Sequence, residues 1–124
     1  MKQSTIVRAY KALDNIYGQK TSLSVSHKLW TLRQKLEPHW KFQAEKEQEV
    51  IAKYPTTIKV DGTVAFESED DKNACMKEFA DMIKELSDLD VEWDNKKIVL
   101  HFDDKLEMSM EDMDALSEFI DFVE

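Results

Sequence analysis

The chain has 124 residues, 42% of them hydrophobic, which is enough to bury a core without a disulfide or a structural metal. Its formal net charge is −9, and its single cysteine, Cys75, excludes an internal disulfide and is typical of a reducing, intracellular setting. No apolar run approaches the roughly 20 residues that span a bilayer, and the N-terminus lacks the apolar region of a signal peptide. We therefore expect one domain, residues 1–124, without a membrane partner.

The charge is distributed unevenly along the chain. Residues 1–54 hold 10 Lys and Arg against 5 Asp and Glu, whereas residues 55–124 hold 7 against 21. The simplest interpretation is a basic helical arm and an acidic portion that neutralise each other, within one protomer or across an oligomer. The alternatives are an acidic face that imitates nucleic acid and an anion-binding site on the basic arm.

The first predicted helix runs from about Ser4 to Tyr17. Apolar residues recur along it at helical spacing, Ser4 is placed to cap its start, and Gly18 follows its end. This pattern predicts an amphipathic helix that packs against the rest of the domain through one face.

A second helix is predicted from Ser22 or Ser24 to Tyr54, about 30 residues and roughly 45 Å long. Pro38 lies inside it and removes one backbone donor. Because the apolar stripe continues in phase past Pro38, we expect one kinked helix in preference to two separate helices. The stripe comprises Leu29, Leu32, Leu36, Trp40, Ala44, Glu47, Ile51 and Tyr54.

The segment TTIKVDGTVAFES predicts a β-hairpin, because an Asp-Gly pair lies between apolar, β-branched runs. A two-residue turn at that pair would mix polar with apolar cross-strand neighbours. A three-residue loop that ends at Gly62, in the left-handed region, gathers the apolar residues on one face. Its register pairs Ile58 with Val64 and Thr56 with Phe66, and this is the register that we predict.

The third predicted helix starts near residues 68–70, where acidic side chains crowd the first turn and are stabilised by the helix dipole. Its expected buried face comprises Cys75, Met76, Phe79, Ile83 and Leu86. A second hairpin is then predicted around a turn at Asn95 and Lys96, from the alternation in LDVEWDNKKIVLHF. Its expected pairs are Trp93 with Ile98, Val91 with Leu100, Leu89 with Phe102, and Asp90 with His101.

A fourth helix is predicted in MSMEDMDALSEFIDFVE, with Ser109 as its N-cap. Its expected inward residues are Met113, Leu116, Phe119, Ile120 and Val123. The predicted fold is thus α+β: two N-terminal helices, the second long and kinked at Pro38, packed on two short β-hairpins and two further helices. Residues 1–54 form the basic helical arm, and residues 55–124 form an acidic ββα-ββα portion.

No catalytic or metal site is predicted. Asp90 opposite His101 resembles an oriented general base, but an exposed cross-strand ion pair explains the same pattern, so a hydrolase is a distant alternative. His27 and His39 do not form helical ligand pairs, and the acidic run after His101 lacks the spacing of a calcium loop. Cys75 lies on an apolar stripe and is expected to be structural.

The stretch SHKLWTLRQKLEPHWKFQ is basic and aromatic, although the chain as a whole is acidic. Arginine beside an aromatic ring is a combination that grips nucleotides by stacking and by bidentate phosphate contacts. The preferred interpretation is a core helix whose aliphatic stems cover the core, and contact with another protein is a further alternative. The candidate ligand-binding residues are Lys20, Ser22, Ser24, Lys28, Trp30 and Arg33.

Acidic residues crowd the C-terminal part of the chain, and they are dense enough to imitate a phosphate backbone and to be steered to a basic cleft. The alternative is an ordinary solvated surface. The candidate residues are Asp103, Asp104, Glu107, Glu111, Asp112 and Asp114.

Four segments carry a family resemblance: EVIAKY, the DG turn, FESEDD and MSMEDMDALSEFI. Together they resemble a family of small uncharacterised proteins from phages and prophages of Gram-positive bacteria. That family has no established activity, so the resemblance assigns no functional residue. It implies a phage-encoded protein that acts in the bacterial cytoplasm.

We expect a non-enzymatic phage accessory protein that binds and inhibits a host protein or a component of anti-phage defence. One alternative is a sponge that sequesters a nucleotide signalling molecule at the start of the second helix. Another is a structural or assembly protein that works as a homo-oligomer, most simply a dimer. No cofactor and no metal are expected, and nucleic acid is not an expected partner.

Overall fold

The computed structural model describes residues 1–101 and 105–124, and it has the predicted α+β class. Within that part of the chain, helices and strands follow one another in the order α1, α2, β1, β2, α3, β3, α4, β4. The helices are α1 (Gln3–Ile16), α2 (Leu23–Ala52), α3 (Glu69–Ser87) and α4 (Met110–Leu116). The strands are β1 (Thr56–Ile58), β2 (Val64–Phe66), β3 (Ile98–His101) and β4 (Ile120–Val123).

The first helix, α1, lies at the centre of the core. Its stripe of Ile6, Leu13 and Ile16 is buried, as the helical spacing predicts. The predicted capping role of Ser4 is wrong, because α1 begins at Gln3 and Lys2 precedes it without a side-chain cap. Instead of a side-chain cap, a backbone hydrogen bond from the Gln3 amide to the Leu89 carbonyl satisfies a donor at the start of α1.

The second helix, α2, runs for 30 residues without interruption and contains Pro38, which confirms the one-helix interpretation. Ser22 caps it by accepting a hydrogen bond from the Val25 amide at 3.2 Å. Its Leu36 is completely buried, and Trp40 stacks on Tyr10 with 4.9 Å between ring centroids. The bend at Pro38 stays a prediction.

The predicted second hairpin is wrong. The segment that was expected to form its first strand pairs with the start of the chain instead: the Gln3 amide donates to the Leu89 carbonyl at 2.9 Å, and the Val91 amide donates to the Met1 carbonyl at 2.7 Å. The backbone groups of this segment are therefore satisfied by residues that are remote in sequence, which local alternation does not reveal.

The other half of that hairpin, β3, pairs in parallel with β4. The predicted fourth helix is correspondingly wrong beyond Leu116: Ser109 does cap α4, but the chain then leaves the helix and forms β4. In β4 the side chains alternate, with Ile120 buried and Asp121 exposed. Met113, which was expected to be buried, is 36% exposed, whereas Leu116 is completely buried.

The predicted first hairpin is confirmed in its register. Thr56 pairs with Phe66 and Ile58 pairs with Val64, and Gly62 has a φ of +86°, in the left-handed region that favours glycine. The apolar face that this register creates is not covered, however: the Ile58 side chain is 76% exposed.

The third helix, α3, begins as predicted after Ser68, whose hydroxyl accepts from the Asp71 amide at 3.1 Å. Its predicted buried face is only partly correct. Cys75 is buried, but Met76 is 59% exposed, and Phe79 is half-buried.

The hydrophobic core is built from α1, the first half of α2, and the residues of and around β3, α4 and β4. It is formed by Ile6, Ala9, Tyr10, Ala12, Leu13, Ile16, Val25, Leu29, Leu32, Leu36, Leu100, Ala115, Leu116, Phe119 and Ile120. None of these residues falls between positions 41 and 88. We call residues 41–88 the distal segment; it contains the last part of α2, the β1–β2 hairpin and α3.

Candidate functional site

The predicted ligand-binding residues lie at the start of α2, but contacts within the protomer engage most of them. Ser22 is the helix cap, and Lys20 and Ser24 are exposed. The Lys28 ammonium donates to the Val99 carbonyl of β3 at 2.9 Å. Ser22 and Lys28 therefore help to form α2 and to attach it to β3.

Arg33 is the most fully engaged member of the set. Its Nη1 lies 2.8 Å from Oδ1 of Asp14, and its guanidinium carbon lies 4.3 Å from the Tyr17 ring centroid and 5.1 Å from that of Tyr10. The hydrogen bond to Asp14 is the main cause of a raised Arg33 pKa. An ion pair and two rings thus fix the arginine within the helix pair, where a nucleotide phosphate would have to displace Asp14.

Trp30 is 49% exposed, and its ring lies 5.9 Å from that of His27. Beside it is a cavity of about 270 Å³ lined by Tyr17, Gln19, Thr21, Ser26, Leu29 and Trp30. The Thr21 and Ser26 hydroxyl oxygens are 2.7 Å apart and bond to each other. The polar groups of this cavity are therefore already paired in part.

Two residues of the predicted acidic face, Asp103 and Asp104, lie outside the described residues. Asp114 forms an ion pair with Arg8 at 2.9 Å, and Asp112 accepts a hydrogen bond from Asn15 at 3.2 Å. Both carboxylates therefore face α1.

Glu107 and Glu111 complete the predicted acidic face, and both are exposed. The backbone of Glu107 is bonded on both sides to the Gln19 side chain: its carbonyl accepts at 2.6 Å, and its amide donates at 2.9 Å. The loop before α4 is thus attached to the end of α1, so this part of the face is held in place by packing contacts.

Ion pairs connect the basic and acidic portions of the chain within one protomer. Among the described residues, the pairs that cross between residues 1–54 and 55–124 are Lys2–Asp90, Arg8–Asp114, Lys35–Asp94 and Lys53–Glu78. This supports the simplest interpretation of the charge asymmetry, in which the two portions neutralise each other internally. Each exposed pair adds little to stability, of the order of 0–1 kcal/mol.

The Asp90 and His101 side chains are not placed opposite each other. Asp90 bridges to Lys2 at the start of the chain, and His101 is paired with Val123 of β4. Burial raises the pKa of the Cys75 thiol, which opposes thiolate formation. Within residues 1–101 and 105–124, no group of three or more His, Cys, Asp and Glu side chains is arranged to hold a metal ion.

A shallow groove of about 740 Å³ runs between α2 and the segment before β3, lined by Gln34, Lys35, Pro38, His39, Glu92, Trp93 and Asp94. The Lys35 ammonium lies 4.7 Å from the Trp93 ring centroid and 2.8 Å from Oδ2 of Asp94. Lys35 is the main cause of a lowered Asp94 pKa. Lys35 and Asp94 are therefore paired across this groove.

The distal segment has a different character. Of its residues only Val50 and Cys75 are buried. Its exposed large apolar side chains are Phe42 at 43%, Ile58 at 76%, Val60 at 110%, Val64 at 49% and Met76 at 59%. Single exposed apolar residues are normal on proteins. Here they accompany a segment whose other large apolar side chains, among them Phe66, Phe79 and Ile83, are only half-buried.

One polar cluster holds the distal segment together. Glu78 of α3 accepts hydrogen bonds from the Lys53 ammonium and from the Tyr54 hydroxyl, the latter at 2.7 Å. These donors lower the pKa of Glu78, and the carboxylate raises the pKa of Tyr54 to about 12. The cluster joins the end of α2 to α3 and so fixes the origin of the β1–β2 hairpin.

The outer face of α2 in the distal segment forms a second shallow groove of about 660 Å³. It is lined by Lys41, Ala44, Glu45, Gln48, Glu49 and Ala52. Residues 44, 48 and 52 are spaced by four and lie on one face, and the two alanines leave space for a neighbouring element to approach closely. This face extends the surface of the distal segment that is available to a partner.

A comparison of the chain with protein-family models, curated proteins and solved structures finds no match. Within the described ranges 1–101 and 105–124, no helix is both long enough and apolar enough to cross a bilayer.

The exposure of apolar side chains in the distal segment could be predicted only in part from the sequence. The length of α2 was the available signal, since about 30 residues exceed what a domain of this size needs. The exposure of Met76 could not be predicted, because its position on the apolar stripe of α3 is typical of a buried residue.

Proposed function

We propose that this chain is a non-enzymatic binding protein that docks onto a protein partner through its distal segment, residues 41–88. The observation that carries the proposal is that this segment buries only Val50 and Cys75, while Ile58 and Met76 are largely exposed. A stretch of 48 residues with two buried side chains gains little from its own packing, so contact with a partner would supply the missing apolar burial.

The rest of the molecule is suited to act as a rigid base for this segment. Its core contains fifteen buried residues from α1, α2 and the elements around β3 and β4, and ion pairs connect its basic and acidic portions. Because α2 belongs to both parts, the core holds the start of the helix and the helix presents the distal segment to solvent.

The resemblance to phage and prophage proteins supports a bacterial host protein as the partner, in the cytoplasm, with inhibition of that protein as the effect. Nucleotide sequestration at the start of α2 stays a prediction. The contacts of Arg33 with Asp14 and of Lys28 with Val99 do not favour it, since both cations are already engaged.

Site-specific photo-crosslinking tests the proposal. A photoreactive side chain placed at Val64 is expected to crosslink to a protein in bacterial extract, because that position lies on the exposed distal surface. The same group at Lys11, exposed on α1, is the matched control and is expected not to capture that protein.

Competition makes the result specific. Excess unlabelled protein should abolish the crosslink from position 64, and Met76→Glu should fail to compete, because a charge on the distal surface opposes apolar contact. Val99→Glu, an exposed position on β3, should compete like the unaltered chain. Equal competition by all three proteins, or equal crosslinking from Val64 and Lys11, would contradict a docking role for the distal segment.

A further inference from the structure

The outer edge of the β1–β2 hairpin has backbone groups available for pairing. The hairpin is a sheet of only two strands, so the edge of β1 that faces away from β2 has no strand partner among the described residues. On the inner side of β1, the Lys59 amide donates to the Thr63 carbonyl at 2.8 Å, and the Pro55 carbonyl accepts from the Glu67 amide at 3.3 Å.

These bonds fix which way each residue of β1 faces. In an antiparallel ladder, residues alternate between those bonded to the neighbouring strand and those whose amide and carbonyl point away. Because residues 55 and 59 point inward, Thr56 and Ile58 direct their backbone groups outward. All three residues of β1 are exposed, so this edge is open to another strand.

We propose that β1 is the edge through which two copies of this chain pair, joining their hairpins into one antiparallel sheet across a two-fold axis. The inference rests on the proposed function, in which the distal segment docks onto protein, and it adds a second copy at the β1 edge to the host protein proposed for the rest of that surface. An antiparallel pair of identical strands is self-complementary, as a closed dimer requires.

A single register satisfies the outward groups of both copies. With the two-fold axis at Thr57, Thr56 of one copy lies opposite Ile58 of the second copy, and the reciprocal pair forms on the other side of the axis. Every outward amide and carbonyl of these residues then has a partner. Thr57 meets Thr57 of the second copy, a favourable cross-strand pair.

The same register extends the exposed apolar face. Ile58 and Val64 are cross-strand neighbours and lie on one face of the hairpin, where they are 76% and 49% exposed. Pairing through β1 places Ile58 of each copy at the centre of the joined sheet. Ile58 of one copy then lies beside Thr56 of the other, so the exposed apolar residues of both hairpins share one face of the joined sheet.

Charge complementarity on the opposite face favours a second copy. In the same register, Lys59 of the second copy lies beside Pro55, and Glu67 lies on the other side of Pro55. The long lysine side chain reaches across the small proline ring toward the carboxylate, and symmetry repeats the contact. Lys59 and Glu67 are both exposed in the protomer, so each is available to an oppositely charged residue of the other copy.

Sedimentation equilibrium over a range of protein concentrations tests the inference, with dimerisation of the unaltered chain expected at high micromolar concentration. Ile58→Pro removes one outward amide per copy without touching the bonds between β1 and β2. We expect it to weaken dimerisation by about tenfold or more, because two hydrogen bonds are lost across the symmetric pair. Val64→Pro is the matched control: it removes an outward amide from β2, and dimerisation should persist.

A charge exchange provides the second test. Lys59→Glu and Glu67→Lys should each weaken the dimer by placing like charges together, and the double variant should restore it. Ile58→Pro and Val64→Pro acting equally, or no restoration in the double variant, would overturn the pairing through β1. A strictly monomeric protein at high micromolar concentration would overturn the dimer itself. That result leaves the competition of Met76→Glu in the crosslinking experiment to decide separately whether the distal segment docks onto another protein.

Discussion

The Tyr54 hydroxyl donates a hydrogen bond to the Glu78 carboxylate, with 2.7 Å between Oη and Oε2. Tyr54 follows the end of α2, and Glu78 lies in the middle of α3, so this bond joins the two helices of the distal segment. Lys53 binds the same carboxylate. In a segment with little apolar burial, this polar cluster is a main fixed point between the helix that leaves the core and the hairpin.

The cluster predicts a specific change in titration. In the folded protein the pKa of Glu78 is lowered, first by the bond from Lys53 and then by that from Tyr54. Tyr54→Phe removes one donor and should therefore raise the pKa of Glu78 toward its ordinary value, as measured by carboxyl-carbon NMR. Tyr17→Phe, which alters a tyrosine remote from Glu78, should leave it unchanged.

The sign of the pH dependence follows. A carboxylate whose pKa is lowered by folding adds stability above the pKa of the unfolded chain, and this contribution is lost as the pH falls through the lower, folded value. The distal segment of Tyr54→Phe should therefore open more readily than that of the unaltered chain at neutral pH, and the difference should shrink in acid. A difference that grows on acidification would contradict the role of this cluster.

Pro38 provides a second prediction, because it lies inside an unbroken helix and is exposed. Pro38→Ala returns a backbone donor and removes a steric conflict with the preceding turn. Proline is less favourable than alanine in a helix interior by up to about 3 kcal/mol. We expect the midpoint of urea unfolding to rise. Marked destabilisation would show instead that the packing of Trp40 and His39 requires the geometry that proline imposes.

The parts of the fold that the sequence predicted are those set by local chemistry. Ser22, Ser68 and Ser109 cap their helices because each side chain accepts from an amide three residues later. Gly62 adopts a positive φ because the three-residue loop requires it. None of these features depends on residues that are distant in the chain.

The failures come from long-range pairing. Residues 89–91 alternate like an edge strand, but their backbone groups form hydrogen bonds with Met1 and Gln3 at the start of the chain, not with β3. Residues 120–123 continue the helical apolar period after Leu116, yet β3 offers them a strand partner, and Ile120 and Phe122 satisfy a period of two equally well. A short apolar run fits the helical period of 3.6 and the strand period of two equally well, so the element that packs beside it determines whether it forms a helix or a strand.

The candidate site was limited in the same way. Arg33 and Lys28 were identified as basic residues of α2 that lie off its core-facing stripe, which is correct as far as helical spacing goes. Their partners, Asp14 and the Val99 carbonyl, come from other elements and were not predictable from α2 alone.

The hairpin turn gives a third prediction. Gly62→Val should destabilise the turn by about 1–2 kcal/mol, because a β-branched residue resists the left-handed region while nothing in the surroundings obstructs its side chain. The loss should appear as faster hydrogen exchange of the Lys59 amide, which donates across the turn. Gly18→Ala is the control: its φ is not positive and its surroundings are open, so exchange at Lys59 should not change.

A pair of truncations gives a fourth prediction about the two parts of the molecule. Ile16→Ala removes a side chain that is 2% exposed and should cost about 2–5 kcal/mol in the free energy of global unfolding. Ile83→Ala removes the same chemical group from α3, where it is only half-buried, and should cost clearly less. Equal costs in urea unfolding would mean that the distal segment contributes to the core as fully as α1 does.

The central claim is that the distal segment lacks cover in the isolated protomer and gains it on docking. Hydrogen–deuterium exchange of the unaltered protein, followed peptide by peptide at low and at high protein concentration, tests it most directly. The account predicts that residues 41–88 exchange faster than residues 1–36 in dilute protein, and that their exchange slows on assembly while that of residues 1–36 does not. Uniform exchange of both regions, independent of concentration and of any captured partner, would contradict it.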